Sequence, residues 1–179
     1  MTTRTGSIAA IALLVVGFAG GASARDRGDV QAPRPGTTQE ATVVAVIVDP
    51  ASQQPVIVLE GKRDKRRLIM AIGLAEATGI ALPLQGVTPP RPLTHDLFLT
   101  MFGRLKVSLS RVVIHDFRDN TYFATVHLTA DGAAMTLDSR PSDAIALAIR
   151  AKVPVLVDDR VFERGTPPPP AAPEPQRPI

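Results

Sequence analysis

The chain contains no cysteine, no tryptophan and a single tyrosine. Without cysteine it forms no disulfide, binds no metal through thiolate and has no sulfur nucleophile. It also offers no cysteine for lipid attachment at its N-terminus. Aromatic residues make up 4% of its 179 residues. The core must therefore be aliphatic, and a row of base-stacking aromatics of the single-strand-binding type is excluded. Contact with a phosphate backbone is not. Common catalytic signatures are missing as well: there is no G-x-S-x-G, no P-loop, no G-x-G-x-x-G and no H-E-x-x-H. His95, His115 and His127 are the only histidines, and no spacing joins them into a Ser–His–Asp set.

What is present describes an ordinary globular domain. Hydrophobic residues make up 45% and charged residues 21%, enough for one domain with a real core. The formal charge of +3 permits a polyanionic partner without requiring one. Residues 1–24 read as a secretory signal: Arg4 in the n-region, an apolar run from Ile8 to Phe18, and Ala22-Ser23-Ala24 as the cleavage site. The run is short for a span that needs about 20 apolar residues, so cleavage and a periplasmic or secreted location are expected, with no stable membrane insertion afterwards. Residues 25–39 form a flexible lead-in and 40–164 the domain. Residues 165–179 hold seven prolines and read as a disordered, solvated tail.

Within the domain, Val- and Ile-rich segments at Ala41–Val48 and Pro55–Glu60 flank Asp49-Pro50-Ala51-Ser52 and predict a hairpin. A basic tip, Lys62 to Arg67, leads to a third strand, Leu68–Ile72. Helices are predicted over Gly73–Leu84, ended by Pro83, and from Thr94, as N-cap, to Leu105. Three strands follow, Lys106–Phe117, Tyr122–Thr129 and Ala134–Asp138, with Asp131-Gly132 as a hairpin turn. A helix starts at Pro141 and runs to Lys152, before a last strand at Pro154–Val157 and a helical turn at Asp158–Arg164. The expected class is α+β: a mixed, largely antiparallel sheet of about six to seven strands with three main helices.

Two helix starts share one layout. Arg91-Pro92-Leu93-Thr94-His95-Asp96 and Arg140-Pro141-Ser142-Asp143 both run Arg-Pro, then a hydroxyl, then an acid. Asp138 and Asp143 flank the second start. A helix N-terminus favours an anion such as phosphate, and Arg140 can grip one in a fork. His95 is the best single base or metal ligand. The same residues have a structural reading: acids in the first turn stabilise a helix by about 0.3–1 kcal/mol, and Arg140 can pair with Asp138 or Asp96 to hold the junction.

Three ordered motifs resemble one family: Ile72-Gly73-Leu74-Ala75-Glu76-Ala77, Arg91 to Leu97, and Asp138 to Ala148. From about Thr42 to Glu163 the chain is similar to the bifunctional nucleases. The resemblance implies an α+β fold, a homo-oligomer, and nuclease activity on RNA and DNA with little sequence preference. By position, Glu76, His95, Asp96, Asp138, Arg140 and Asp143 match the family's polar motif residues. The proline tail and the export signal depart from the family pattern, and export makes foreign or spent nucleic acid the plausible substrate. The nuclease reading has Asp96, Asp138, Asp143 and Glu76 holding Mg²⁺ or Mn²⁺, His95 and Arg140 as catalytic groups, and Arg91 and Ser142 as substrate contacts. The rival reading is a non-catalytic oligomeric binding or scaffold domain whose Arg–Asp pairs are structural. A small-anion sensor at Pro141 is a third. Convergence of Asp96, Asp138 and Asp143 in an open cleft separates the first two.

Overall fold

A computed structural model describes residues 37–165. The expected export signal, most of the lead-in and the proline tail lie outside the described residues. The elements run β1 (Thr38–Val48), β2 (Pro55–Gly61), β3 (Arg67–Ala71), α1 (Leu74–Leu84), α2 (Thr94–Arg104), β4 (Val107–Arg118), β5 (Thr121–Ala130), β6 (Ala133–Ser139), α3 (Pro141–Ala151), β7 (Val155–Asp158) and α4 (Asp159–Gly165). The α+β class holds, and the seven strands form one sheet in the order β3-β2-β1-β7-β4-β5-β6. Every pairing is antiparallel except β4 with β7. The last strand thus joins the β1–β3 meander to the β4–β6 meander.

The turns follow their residues. Asp119-Asn120 and Asp131-Gly132 both take positive φ at the two central positions, the backbone that matches hairpin twist. The basic tip does not end in open solvent. Arg63 and Arg66 both bind the Asp159 carboxylate at the start of α4, and Lys62 pairs with Glu40.

One face of the sheet carries the core. Ile57, Leu59, Leu68, Met70, Val112, Ile114, Val126 and Leu128 pack there against Ile80 of α1, Phe102 of α2, Ile145 of α3 and Phe162 of α4. In α3 five consecutive residues, Ala144 to Ala148, are buried. The three alanines among them let the helix sit close to the strands, and burial of a large residue such as Ile145 contributes about 1.5–3 kcal/mol.

Strand alternation sends the intervening side chains to the other face. Val113 pairs with Thr125, and Thr125 with Asp138, so these three share that second face. His127 lies two residues beyond Thr125, and His115 occupies a bulge between Ile114 and Asp116. Three buried atoms here have no hydrogen-bond partner: Nε2 of His115, Nε2 of His127 and the Thr125 hydroxyl. Burial pushes both imidazoles below their ordinary range, for His115 against the pull of Asp116 and Asp138 and for His127 with help from Arg111. A base with a depressed folded pKa costs stability as pH falls, because the unfolded imidazole takes its proton first. The melting temperature is therefore expected to drop as pH is lowered from about 7 to about 5, below the unfolded imidazole value of about 6.5. Thermal melts of a His115→Gln/His127→Gln variant should show a flatter slope over that window. An unchanged slope would assign the loss to other groups.

Candidate functional site

The three long helices start with the same device. Each has an acid at its third position: Glu76 in α1 after Gly73, Asp96 in α2 after Leu93, and Asp143 in α3 after Arg140. Such an acid meets the positive end of the helix dipole and can fold back on the N-cap N–H. Asp96 does so, accepting from the Leu93 N–H at 2.8 Å. Glu76 turns back over Gly73, where a Cβ would collide with its carboxylate. The N-cap of α2 is Leu93 and not Thr94, which is the first helical residue. The side-chain bond at this helix start runs the other way from the expected hydroxyl cap: the Asp96 carboxylate reaches back to the N–H of the N-cap residue.

These carboxylates then meet the cations of α3. Arg140 donates from Nε to Asp143 at 2.7 Å and from Nη2 to Glu76 at 2.8 Å. His95 places Nε2 at 3.2 Å from the other Asp143 oxygen. Burial raises the Asp143 carboxyl, but the Arg140 and His95 hydrogen bonds outweigh it and hold the group below the ordinary carboxylate range. Arg140 is pulled up by Asp143 first and Glu76 second. Its side chain is 65% exposed, and among the described residues Nη1 has no hydrogen-bond partner, while Nε and Nη2 are taken by Asp143 and Glu76.

Arg150 was not singled out as a site residue. It lies seven residues after Asp143, two turns along the same face of α3. Its side chain is only 8% exposed. Nε binds Asp96 at 2.7 Å, and Nη1 binds the carbonyls of Gly79 at 2.6 Å and Ala146 at 3.0 Å. The Gly79 carbonyl is free for a covalent reason. Pro83, four residues on, sits inside α1 and has no N–H to offer it. A glycine four residues before a helical proline, with an arginine on a neighbouring apolar helix, was the signal available in the sequence. Gly79 also lets His95 approach, since a Cβ there would lie 3.2 Å from the imidazole Nδ1.

The expected metal ligands are placed as follows. Glu76 and Asp143 share Arg140, and Asp96 is held by Arg150 nearby on the same helical layer. Asp138 lines the same cleft as His95, Arg140 and Asp143, but its register opposite Thr125 puts its side chain on the second face of the sheet, and among the described residues no hydrogen bond or ion pair joins it to them. Arg91 is exposed in the loop before α2. Ser142 is buried within the first turn of α3. Among the described residues no group of three or more His, Asp or Glu is arranged to hold a metal ion. The acids that come together have their oxygens turned to guanidinium and imidazole groups, so this donor set does not fit Mg²⁺ or Mn²⁺.

His95, Arg140 and Asp143 form a ridge between two open clefts. One, about 690 Å³, runs between the starts of α1 and α2, past Gly79 and Leu93. The other, about 550 Å³, lies between α2 and the edge strand β6. Its floor is apolar, made by Phe98, Phe102, Val126, Leu137 and Leu147. Of the three, Arg140 is exposed, Asp143 is half-buried, and the His95 side chain keeps only 13% of its surface open.

Comparison with known proteins matches residues 57–168 to the bifunctional nuclease domain. The chain belongs to the bifunctional nuclease domain family. It is 39% identical over 126 residues to an uncharacterised protein of Mycobacterium tuberculosis, covering 70% of this chain and 75% of that protein. It is 30% identical over 103 residues to bifunctional nuclease 1 of Oryza sativa subsp. indica, covering 55% of this chain. Over 111 residues it is 30% identical to bifunctional nuclease 2 of Oryza sativa subsp. japonica, covering 60% of this chain. The matches span 31% and 34% of those two rice proteins.

Arg150→Ala removes the cation that Asp96 and two carbonyls share. The expected loss is about 3 kcal/mol in urea unfolding. In a Pro83→Ala background, where the restored N–H takes the Gly79 carbonyl, the loss should be smaller. Strict additivity in that double-mutant cycle would refute the shared role of the carbonyl.

Proposed function

We propose that this chain is an exported nuclease that hydrolyses phosphodiester bonds of RNA and DNA with little sequence preference. The observation that carries the reading is the ridge at the start of α3, where His95, Asp143 and the exposed Arg140 meet beside two clefts. Family membership and the names of the rice relatives agree with it. Asp143 orients the imidazole by accepting from Nε2, which leaves Nδ1 as the base. His95 takes a proton from the attacking oxygen, a water in DNA or a 2′-hydroxyl in RNA, as the P–O5′ bond breaks, and the imidazolium returns the proton to the departing O5′; in RNA the resulting 2′,3′-cyclic phosphate is then opened by water. Arg140, already held by Asp143 and Glu76, offers Nη1 to the phosphate oxygens as negative charge builds. No step runs through a metal, since the acids are committed to Arg140 and Arg150. Export rests on the features of residues 1–24. Self-association rests on the exposed Leu97 and Met101 of α2 and Met135 of β6.

A second reading rests on the same ion pairs. Arg140 and Arg150 lock the three helix starts together, as a scaffold domain with no chemistry would require. His95→Gln distinguishes the two, with helical content and melting temperature followed alongside cleavage of a labelled single-stranded RNA and DNA. The nuclease reading expects cleavage to fall by about 10²–10⁴-fold with the fold intact, and cleavage by the parent chain to persist in EDTA. A parent chain that cuts neither substrate, with or without added Mg²⁺ or Mn²⁺, would leave the scaffold reading. Loss of cleavage in EDTA alone would return the metal to the site.

A further inference from the structure

The cleft between α2 and β6 is built differently from its neighbour across the ridge. About half of its lining is aliphatic and aromatic, and the polar part holds His95, Arg140 and Asp143 with Asp138 beside them. Phe98 stands at this floor with 46% of its surface exposed. It meets Phe102 edge-on, with ring centroids 6.2 Å apart, so Phe102, buried in the core, fixes the orientation of the outer ring. An exposed, oriented phenyl ring is costly to leave in water. It is also rare here, since the whole chain has six phenylalanines and one tyrosine. The cleft's volume of about 550 Å³ falls in the range of small-molecule sites.

The occupant must be planar and apolar on one side and anionic on the other. Arg140, whose Nε and Nη2 are held by Asp143 and Glu76, lines the same cleft as Phe98, Phe102 and Leu137. A nucleotide has that layout: a phosphate, then a sugar, then a base with two π-faces.

Resting on the nuclease reading above, we propose that this cleft is a base subsite: it takes one unpaired nucleobase next to the phosphate held by Arg140, stacked on Phe98, which makes single-stranded nucleic acid the preferred substrate class. A base inside a duplex is paired and stacked on its neighbours and must be extracted before it can enter, at a cost of a few kcal/mol. Stacking recognises every base, which accords with little sequence preference. The subsite needs only one aromatic ring, so the low aromatic content is no obstacle to it.

The test uses the full chain and three fluorescein-labelled probes of equal length: oligothymidylate, an abasic sugar–phosphate chain, and a thymidylate–adenylate duplex. Binding is followed by anisotropy. The parent chain should bind oligothymidylate about tenfold more tightly than either other probe. Phe98→Ala should level oligothymidylate with the abasic chain, and Phe98→Trp should keep the preference. That tryptophan, alone in the chain, should be quenched by oligothymidylate and not by the abasic chain. Arg140→Ala should weaken both single strands equally. Ile69→Ala, on the opposite edge of the sheet, should change nothing. Equal binding of the oligothymidylate and abasic probes by the parent chain, or a preference that survives Phe98→Ala with unaltered melting, overturns the base subsite. In that case continued cleavage leaves the nuclease reading standing. A parent chain that neither binds nor cleaves removes both. If Phe98→Ala instead dissociates an oligomer in light scattering and the probes bind alike, a second copy fills the cleft and the proposal fails.

Discussion

Arg150 is the interaction on which the rest of the helical layer depends. A guanidinium that is almost wholly buried must find oxygen partners for its donors or cost several kcal/mol. It finds them on all three long helices: the acid that caps α2, a carbonyl that proline leaves free in α1, and the carbonyl one turn back in α3. Those partners fix how the three N-termini face one another. That in turn sets His95 against Gly79 and within reach of Asp143. Arg140, at the other end of the same helix, completes the arrangement from the outside. One arginine is buried and holds the geometry; the other is exposed and presents it.

The separation matters for what the ridge can do. A carboxylate pair committed to Arg140 is poorly suited to a hard cation but well suited to holding a guanidinium still. An arginine side chain loses much rotamer freedom when it is fixed. Here Asp143 and Glu76 impose that loss during folding, before any ligand arrives. Likewise the capping acids stabilise their helices and also supply the second layer around the ridge, so stability and pre-organisation come from the same atoms.

Most of the fold was legible because local rules agreed with one another. Val- and Ile-rich runs became strands, Asp-Gly became a turn, and Pro141 opened α3. Each predicted element lies within a few residues of its place. The cap of α2 was misread because Thr94 satisfies the composition rule for an N-cap, while the acid at the third position took the backbone donor. Asp138 was legible as a motif residue but not as a neighbour. Which face it occupies is decided by its pairing with Thr125, and a register one residue different would have turned it toward Asp143. For Arg150 the sequence carries only half of the signal: the spacing of Gly79 and Pro83 marks a free carbonyl, but nothing in the sequence says which cation on another helix reaches it. The apolar cleft was hidden for the same reason: Phe98 and Leu137 are far apart in sequence and meet only across two elements.

The position of β7 bears on how the chain comes together. The strands before it form two meanders, each closed by short local turns, with β1 and β4 left as bare edges. Only a strand from near the end of the domain supplies both missing ladders, one antiparallel and one parallel. As the ribosome releases the chain, each half can assemble early, but the sheet has no continuous centre until residues 155–158 emerge. Ile145 and its neighbours reach their full cover no sooner. A nascent domain of this topology therefore stays open along its middle until its own last strand has been made.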